Sequence, residues 1–184
     1  MLMQIRSPDS LLASLAYSGD IRPGLMLVTG PRGMGKTQWC MRLSDHATSL
    51  GIHVGGLVSP AVFEKGRKTG IDLVDLDSGE RRHLAFSRGS DQGDLLTNDW
   101  QMNAETLEWG NSVLERCSDF DLVILDELGP LEFNHGIGLV AAFEIIEAHR
   151  TLPVFATVRP SLIPEARLRW YWAQVLEISA EVTR

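Results

Sequence analysis

One stretch of the sequence has the residue types and spacing of a phosphate-binding loop. It matches the pattern G-x-x-x-x-G-K-[ST] throughout: Gly30-Pro31-Arg32-Gly33-Met34-Gly35-Lys36-Thr37. Glycines let such a loop curl so that successive backbone N–H groups point at phosphate oxygens. Lys36 then supplies a mobile positive charge for the β- and γ-phosphates, and the Thr37 hydroxyl is placed for Mg²⁺. We predict that the whole octet binds nucleotide phosphates, with Arg32 either contacting phosphate or remaining a solvated loop arginine.

A second group of residues could complete a metal and water site. The apolar run 122–125 is followed directly by Asp126 and Glu127. Ligands bind at the carboxyl ends of strands in α/β sheets, so Asp126 is predicted to hold Mg²⁺, directly or through water, alongside Thr37. Glu127 could orient or deprotonate a water in line with the γ-phosphate. The alternative interpretation is a solvated charge at the end of a strand. The acidic pair favours hydrolysis over transfer to an acceptor.

Two further residues are weaker candidates. Arg159 follows the apolar run 154–158, and an arginine there could stabilise charge in the transition state. Equally, it could be a surface arginine before Pro160. Thr157 is either a polar sensor of the γ-phosphate or a β-branched strand residue. The histidines and cysteines show no metal-ligand spacing.

Apolar runs and helical patterns predict the elements that position these residues. Residues 25–29 predict a buried strand before the loop, and apolar positions at helical spacing predict a helix from Lys36 to a stop at Gly51. The remaining elements are predicted in a similar way: strands at 122–125, 154–158 and 175–178, and helices around 107–117, 139–146 and 165–171. Alternating strands and helices predict a P-loop α/β fold with a mainly parallel sheet flanked by helices.

Residues 53–99 have a different texture. Turn residues at 64–67 and 77–80 predict two hairpins, and a slip in the alternation over 71–76 indicates a bulge or a strand covered on both faces. The polar stretch 89–99 predicts a loop. We therefore predict an antiparallel insertion at 53–99 within a single domain spanning 1–184.

Composition narrows the range of partners. Of 184 residues, 44% are hydrophobic and 22% charged, which is ordinary for a globular protein with a core. The net charge of −7 argues against a broad surface for nucleic acid. The apolar run near the N-terminus is too short and interrupted for a membrane span or a signal peptide, so we expect a cytoplasmic location without membrane contact. No feature indicates a protein partner.

Three blocks after the loop resemble one family: 56–59, 66–74 and 126–132. Together with the loop, they make the chain similar to the THEP-type nucleoside-triphosphatases, also called cancer-related nucleoside-triphosphatase, over about residues 25–158. The resemblance implies a RecA-like parallel sheet extended by antiparallel strands. It also implies slow Mg-dependent hydrolysis of several NTPs to NDPs with little base selectivity.

The resemblance carries over to particular residues. Lys36 and Thr37 match the family's phosphate and metal residues, and Asp126 and Glu127 match its Walker-B pair. Glu132 matches the acidic residue of the turn that follows. The chain departs from the family where it has Ala61 and Phe63 in place of an expected Glu and Arg.

Two other functions use the same residues. A nucleotide or small-molecule kinase would employ Lys36 and Asp126 identically, and residues 61–99 could provide its acceptor pocket and lid. A nucleotide-dependent switch protein would hydrolyse NTP only to time an interaction with a partner. The leading hypothesis from the sequence is an NTP hydrolase.

Overall fold

The computed structural model describes residues 24–87, 95–96 and 100–178. Within these residues the strands are β1 Leu25–Thr29, β2 Val54–Val58, β3 Ala61–Glu64, β4 Arg67–Asp75, β5 Arg81–Ser87, β6 Leu95–Leu96, β7 Trp100–Met102, β8 Leu122–Leu128, β9 Val154–Val158 and β10 Gln174–Glu177. The helices are α1 Lys36–Ser49, α2 Ala104–Leu114, α3 Pro130–His135, α4 Ala141–Ala148 and α5 Ile163–Arg169. No helix in these ranges is long and apolar enough to cross a membrane.

All described strands belong to one mixed sheet. Its path is β10-β1-β9-β8-β2-β4-β5-β7-β6, with β3 paired to β4. The pairs from β10 to β2 are parallel. We call these strands the parallel half. Every residue of β1, β2 and β9 is buried, as is typical of parallel strands covered on both faces.

Helices cover both faces of the parallel half. Alternate residues of β1 point to opposite faces: Leu25 and Leu27 pack in one apolar cluster, Met26 and Val28 in another. Apolar residues of α1, including Trp39, Cys40 and Leu43, complete the second cluster. Residues of α2, α4 and α5 complete the first. The predicted P-loop α/β sheet flanked by helices is confirmed.

The strands β3 to β7 are joined by antiparallel pairs, and we call them the antiparallel half. The predicted turns at 64–67 and 77–80 are confirmed as the β3–β4 and β4–β5 connections. A register shift between Ile71 and Asp72 confirms the bulge that the slipped alternation indicated.

The predicted bounds of this insertion need correction at its start. Residues 54–58 form β2, which pairs in parallel with β8 and only at its end in antiparallel with β4. The wholly antiparallel strands therefore begin at Ala61. The reason is local: Gly56 has a φ of 106°, and a Cβ there would overlap the Ile124 carbonyl of β8. Gly55 and Gly56 thus let the apolar segment of β2 pack tightly against β8. The sequence pattern did not distinguish this segment from a strand of a hairpin.

The predicted loop at 89–99 is also wrong in part. Residues 95–96 form the short strand β6, which pairs with β7. The rest of that prediction lies outside the described residues. One helix, α3, was not predicted at all, because its six residues are too few to show helical periodicity.

Candidate active site

The predicted phosphate loop connects β1 to α1. Gly30 takes a φ of 155°, and a Cβ at this position would lie 2.7 Å from the Ile178 carbonyl oxygen. Gly35 caps α1 in the left-handed region, at a φ of 83°. Both positions therefore require glycine, one for a close approach and one for its backbone conformation. The loop presents the N-terminus of α1 at the carboxyl edge of the parallel half, where an anion is favoured.

Lys36 reaches back over this loop. Its Nζ donates to the carbonyl oxygens of Gly30 at 2.9 Å and Pro31 at 3.1 Å. These bonds hold the ammonium beside the backbone that would surround a phosphate. Because carbonyl oxygens are weaker partners for an ammonium than phosphate oxygens, a bound anion can replace them.

Asp126 is almost fully enclosed, with 2% of its surface exposed. Thr157 Oγ1 donates to Asp126 Oδ1 at 2.8 Å, and the Ser59 N–H donates to Oδ2 at 3.2 Å. Burial raises the pKa of Asp126, while hydrogen bonds from Thr37, Thr157 and Ser59 oppose that rise. The structure therefore brings Thr37 and Asp126 together, although they lie far apart in the sequence.

The Thr37–Asp126 pair suits Mg²⁺ chemically. Both side chains offer oxygen donors, and Mg²⁺ in NTP sites typically needs only one or two protein ligands besides phosphate and water. Asp126 already accepts hydrogen bonds from three neighbours, which favours contact with the ion through a water. No cluster of three or more His, Cys, Asp or Glu side chains that could hold a metal occurs within the described residues.

Glu127 follows Asp126 directly on β8, but it is exposed where Asp126 is buried. Leu125 pairs with Ala156 and Leu128 with Val158, so Asp126 and Glu127 together oppose Thr157 in a bulge. The Glu127 side chain is 40% exposed, and its Oε1 accepts a hydrogen bond from Arg159 Nε at 2.7 Å. Glu127 and Arg159, both candidates from the sequence, thus lie at the same end of the β8–β9 pair. In the structure they form an ion pair.

Glu132 stabilises the turn after Glu127. Its Oε2 accepts from the Gly129 N–H at 2.8 Å, and its Oε1 accepts from the Leu139 N–H at 2.9 Å. Burial raises the pKa of Glu132, and these backbone hydrogen bonds lower it. The side chain therefore closes the segment 129–139 on itself and caps α3, a positioning role for the residues just before it.

Two site residues were not predicted from the sequence. Ser59 follows β2 at the carboxyl edge, and its Oγ also donates to the Asp126 carbonyl at 2.6 Å; its position after a buried run was a usable signal. Lys68 on β4 gave no such signal. Its Nζ lies 4.7 Å from the centre of the Trp100 ring. Partial burial and the charges of Arg32 and Arg159 lower the pKa of Lys68, against the carboxylates of Glu127 and Asp126.

The strand, glycine loop, helix and buried aspartate on a nearby parallel strand define the chain as a protein of the P-loop NTPase class. A family profile described as NTPase matches residues 25–165. The chain belongs to this NTPase family, and its resemblance to the THEP-type nucleoside-triphosphatases is confirmed.

Individual relatives agree with this membership. The chain is 30% identical to nucleoside-triphosphatase THEP1 of Caldivirga maquilingensis over 69% of its length and 71% of the relative. It is 31% identical to nucleoside-triphosphatase THEP1 of Methanopyrus kandleri, over 69% of each chain.

Two solved structures share the fold. The human cancer-related nucleoside triphosphatase superposes with a TM-score of 0.64 at 23% identity, covering 86% of this chain and 89% of that one. THEP1 of Aquifex aeolicus superposes with a TM-score of 0.63 at 20% identity, covering 86% and 91%.

Proposed function

We propose that this protein hydrolyses the terminal phosphate of Mg-bound nucleoside triphosphates, producing NDP and inorganic phosphate, with loose base selectivity. The observation that carries the proposal is the contact between Thr37 at the phosphate loop and the buried Asp126. An exposed carboxylate, Glu127, is the next residue along β8. The names of the relatives, nucleoside-triphosphatases, point to the same reaction.

Binding begins at the phosphate loop. Backbone N–H groups of residues 30–37 and the start of α1 surround the β- and γ-phosphates. Lys36 exchanges its bonds to the Gly30 and Pro31 carbonyls for bonds to phosphate oxygens. When bound, Mg²⁺ neutralises charge on the phosphate oxygens and would be held by Thr37 and Asp126. Thr157 and Ser59 keep the Asp126 carboxylate oriented toward Thr37.

Glu127 acts on the attacking water. Its carboxylate accepts a hydrogen bond from the water and receives the proton that the water loses as its oxygen bonds to phosphorus. The bond from phosphorus to the β-phosphate oxygen breaks, and NDP leaves. Arg159 Nε donates a hydrogen bond to Glu127 Oε1 at 2.7 Å. When the triphosphate binds, the guanidinium would share its positive charge with the developing phosphate.

Loose base selectivity follows from where the recognised groups lie. The loop, Lys36, Thr37 and Asp126 address phosphate or metal, and the described residues offer no comparable set aimed at a base edge. We therefore expect similar kcat/KM values for ATP, GTP, CTP and UTP.

The test is phosphate release by the purified full chain from each of these nucleotides, with Mg²⁺ and without an added acceptor. We expect release from all of them, and its loss in excess chelator. Turnover that depends on an added acceptor would replace the hydrolase by a kinase. A preference of several hundredfold for one base would contradict loose selectivity, and full activity in chelator would contradict the metal role of Thr37 and Asp126.

A further inference from the structure

The β3–β4 hairpin extends beyond the edge at which the phosphate loop lies. In β4 only Val74 and Asp75 pair with β2, opposite Val58 and Leu57 at the carboxyl end of that strand. Because β4 runs antiparallel to β2, its earlier residues continue past the end of β2. Bulges in the pairings of β4 with β3 and with β5 let this extension bend. The hairpin therefore brings side chains to the site from the antiparallel half.

Lys68 is the cation on this extension whose charge interacts with the site. Four site residues act electrostatically on its ammonium: Arg32 and Arg159 repel it, and Glu127 and Asp126 attract it. The phosphate loop, β8 and the end of β9 thus all lie within electrostatic range of one side chain of β4. The ring of Trp100, on β7, holds the ammonium at 4.7 Å from its centre. Such a cation–π contact is modest when partly exposed, so a stronger anion can displace it.

Without a ligand, this arrangement is unfavourable for Lys68. Its ammonium is partly removed from water and lies in the field of two arginines, and both effects lower its pKa. A polyphosphate supplies the negative charge that the three cations together favour. The charges around Lys68 therefore favour an anion near β4, the phosphate loop and the end of β9.

We propose that Lys68 is a further catalytic residue, whose ammonium leaves Trp100 and binds an oxygen of the terminal phosphate of the bound triphosphate. This inference rests on the proposed function. A cation at that oxygen stabilises the charge that develops as the phosphoryl group is transferred. Lysine suits the task because its ammonium is a compact charge on a flexible stem, able to move from the ring to the phosphate.

The assignment also implies discrimination between substrate and product. A diphosphate lacks the group that Lys68 contacts, so only the triphosphate can form this contact. Lys68 therefore strengthens binding of NTP and leaves binding of NDP nearly unchanged.

The test compares Lys68→Met, which removes the charge but keeps an unbranched side chain, with Lys65→Met. Lys65 lies exposed at the tip of the same hairpin, so this control removes the same charge from the same element. We expect Lys68→Met to lower kcat/KM for ATP by roughly 10- to 100-fold, the range of a hydrogen bond to a charged group. Its affinity for ADP should stay within about twofold of wild type, since ADP lacks the contacted phosphate. Lys65→Met should match wild type in both.

Three results separate this inference from the proposed function. If wild type hydrolyses ATP and Lys68→Met does so equally well, Lys68 has no catalytic role and the hydrolase stands. A second result would be that wild type binds ATP more tightly than ADP without hydrolysing it, and that only Lys68→Met loses this difference in affinity. The Lys68 contact would then stand and the hydrolase would fail. If Lys68→Met weakens ATP and ADP equally, the terminal-phosphate contact is wrong.

A fold control keeps these outcomes interpretable. Thermal unfolding of each variant is measured first, and Lys68→Gln replaces Lys68→Met if the latter unfolds early. Lys68→Arg retains the charge and should recover most of the kcat/KM that Lys68→Met loses. Equal loss in Lys68→Arg and Lys68→Met would overturn a role based on charge.

Discussion

The parallel and antiparallel halves of the sheet contribute to the site in different ways. In the parallel half, β1, β2 and β9 are short and buried throughout, and the functional residues lie at or near the carboxyl ends of the strands. In the antiparallel half, β3 is largely exposed, and Lys68 reaches the site sideways from within β4. The parallel half places functional groups at or near the ends of its strands. The antiparallel half places Lys68 near the site because β4 extends past the end of β2.

This difference indicates a division of tasks. In the proposed function, the parallel half provides the groups that bind phosphate and metal, namely the loop, Thr37 and Asp126. The antiparallel half adds Lys68 and Trp100, whose contact acts on top of an already formed site. Substitution of these binding groups should therefore have larger effects than substitution of Lys68.

The largest effect is expected for Lys36→Ala, since the loop loses the charge that addresses the β- and γ-phosphates. We expect kcat/KM for ATP to fall by more than about 10³-fold, beyond the usual loss of a single stabilising donor. The fold should persist, because Nζ bonds only loop carbonyls. Phosphate release measures the loss of kcat/KM, and a thermal unfolding curve measures whether the fold persists. If Lys36→Ala lost less activity than Lys68→Met, the ranking of the two halves would be reversed.

Glu127→Gln tests the water-activating residue and should rank next. The substitution keeps the size of the side chain but removes its basicity, so single-turnover hydrolysis of ATP should slow by about 10²- to 10³-fold. Binding of a non-hydrolysable ATP analogue should change little, because Lys36, Thr37 and Asp126 are intact.

Arg159→Gln is the matched control, since it breaks the same ion pair from the other side. We expect a loss of about 10-fold, as for one charge-assisted hydrogen bond. If the two variants slowed hydrolysis equally, the ion pair itself and not proton acceptance by Glu127 would account for the effect.

A smaller effect is expected from Thr157→Val, which has nearly the same volume but cannot donate to Asp126. The loss of this buried hydrogen bond should lower the free energy of unfolding by about 1 to 3 kcal/mol. It should also reduce kcat several-fold through misplacement of the carboxylate. Thr29→Val is the control: the buried Thr29 hydroxyl makes no hydrogen bond to any described residue. Its replacement should leave stability unchanged or raise it, and a loss equal to that of Thr157→Val would contradict the positioning role of Thr157.

Glu132→Gln is expected to change activity least. It should, however, change how stability depends on pH. The pKa of Glu132 is raised in the folded protein, so the folded state binds more protons than the unfolded state just above the ordinary glutamate range. The stability of wild type relative to Glu132→Gln should therefore increase as the pH falls through the raised pKa, and level off below the unfolded pKa. Denaturant unfolding of both proteins across acidic pH measures this difference. A difference that shrinks on acidification would mean that the pKa is lowered instead.

Much of the fold could be predicted from the sequence, because buried runs and helical spacing report local burial. The strands at 25–29, 122–125 and 154–158 and the helix from Lys36 were predicted and are confirmed. The direction of β2 was not predictable, since a short apolar run with two glycines is compatible with either pairing. The octet at 30–37 and the pair Asp126–Glu127 were visible as candidates because each directly follows an apolar run in the sequence.

What only the tertiary structure decided is which distant residues meet. The bonds of Asp126 to Ser59 and Thr157, the Glu127–Arg159 pair and the contact of Lys68 with Trp100 all join segments far apart in the chain. Residue types and spacing along a sequence report whether a side chain is buried and what it can bind. Strand order, register and bulges decide what it touches. These depend on the packing of the whole sheet, so Lys68, the second residue of β4, comes near the site only because the strands are assembled in this order.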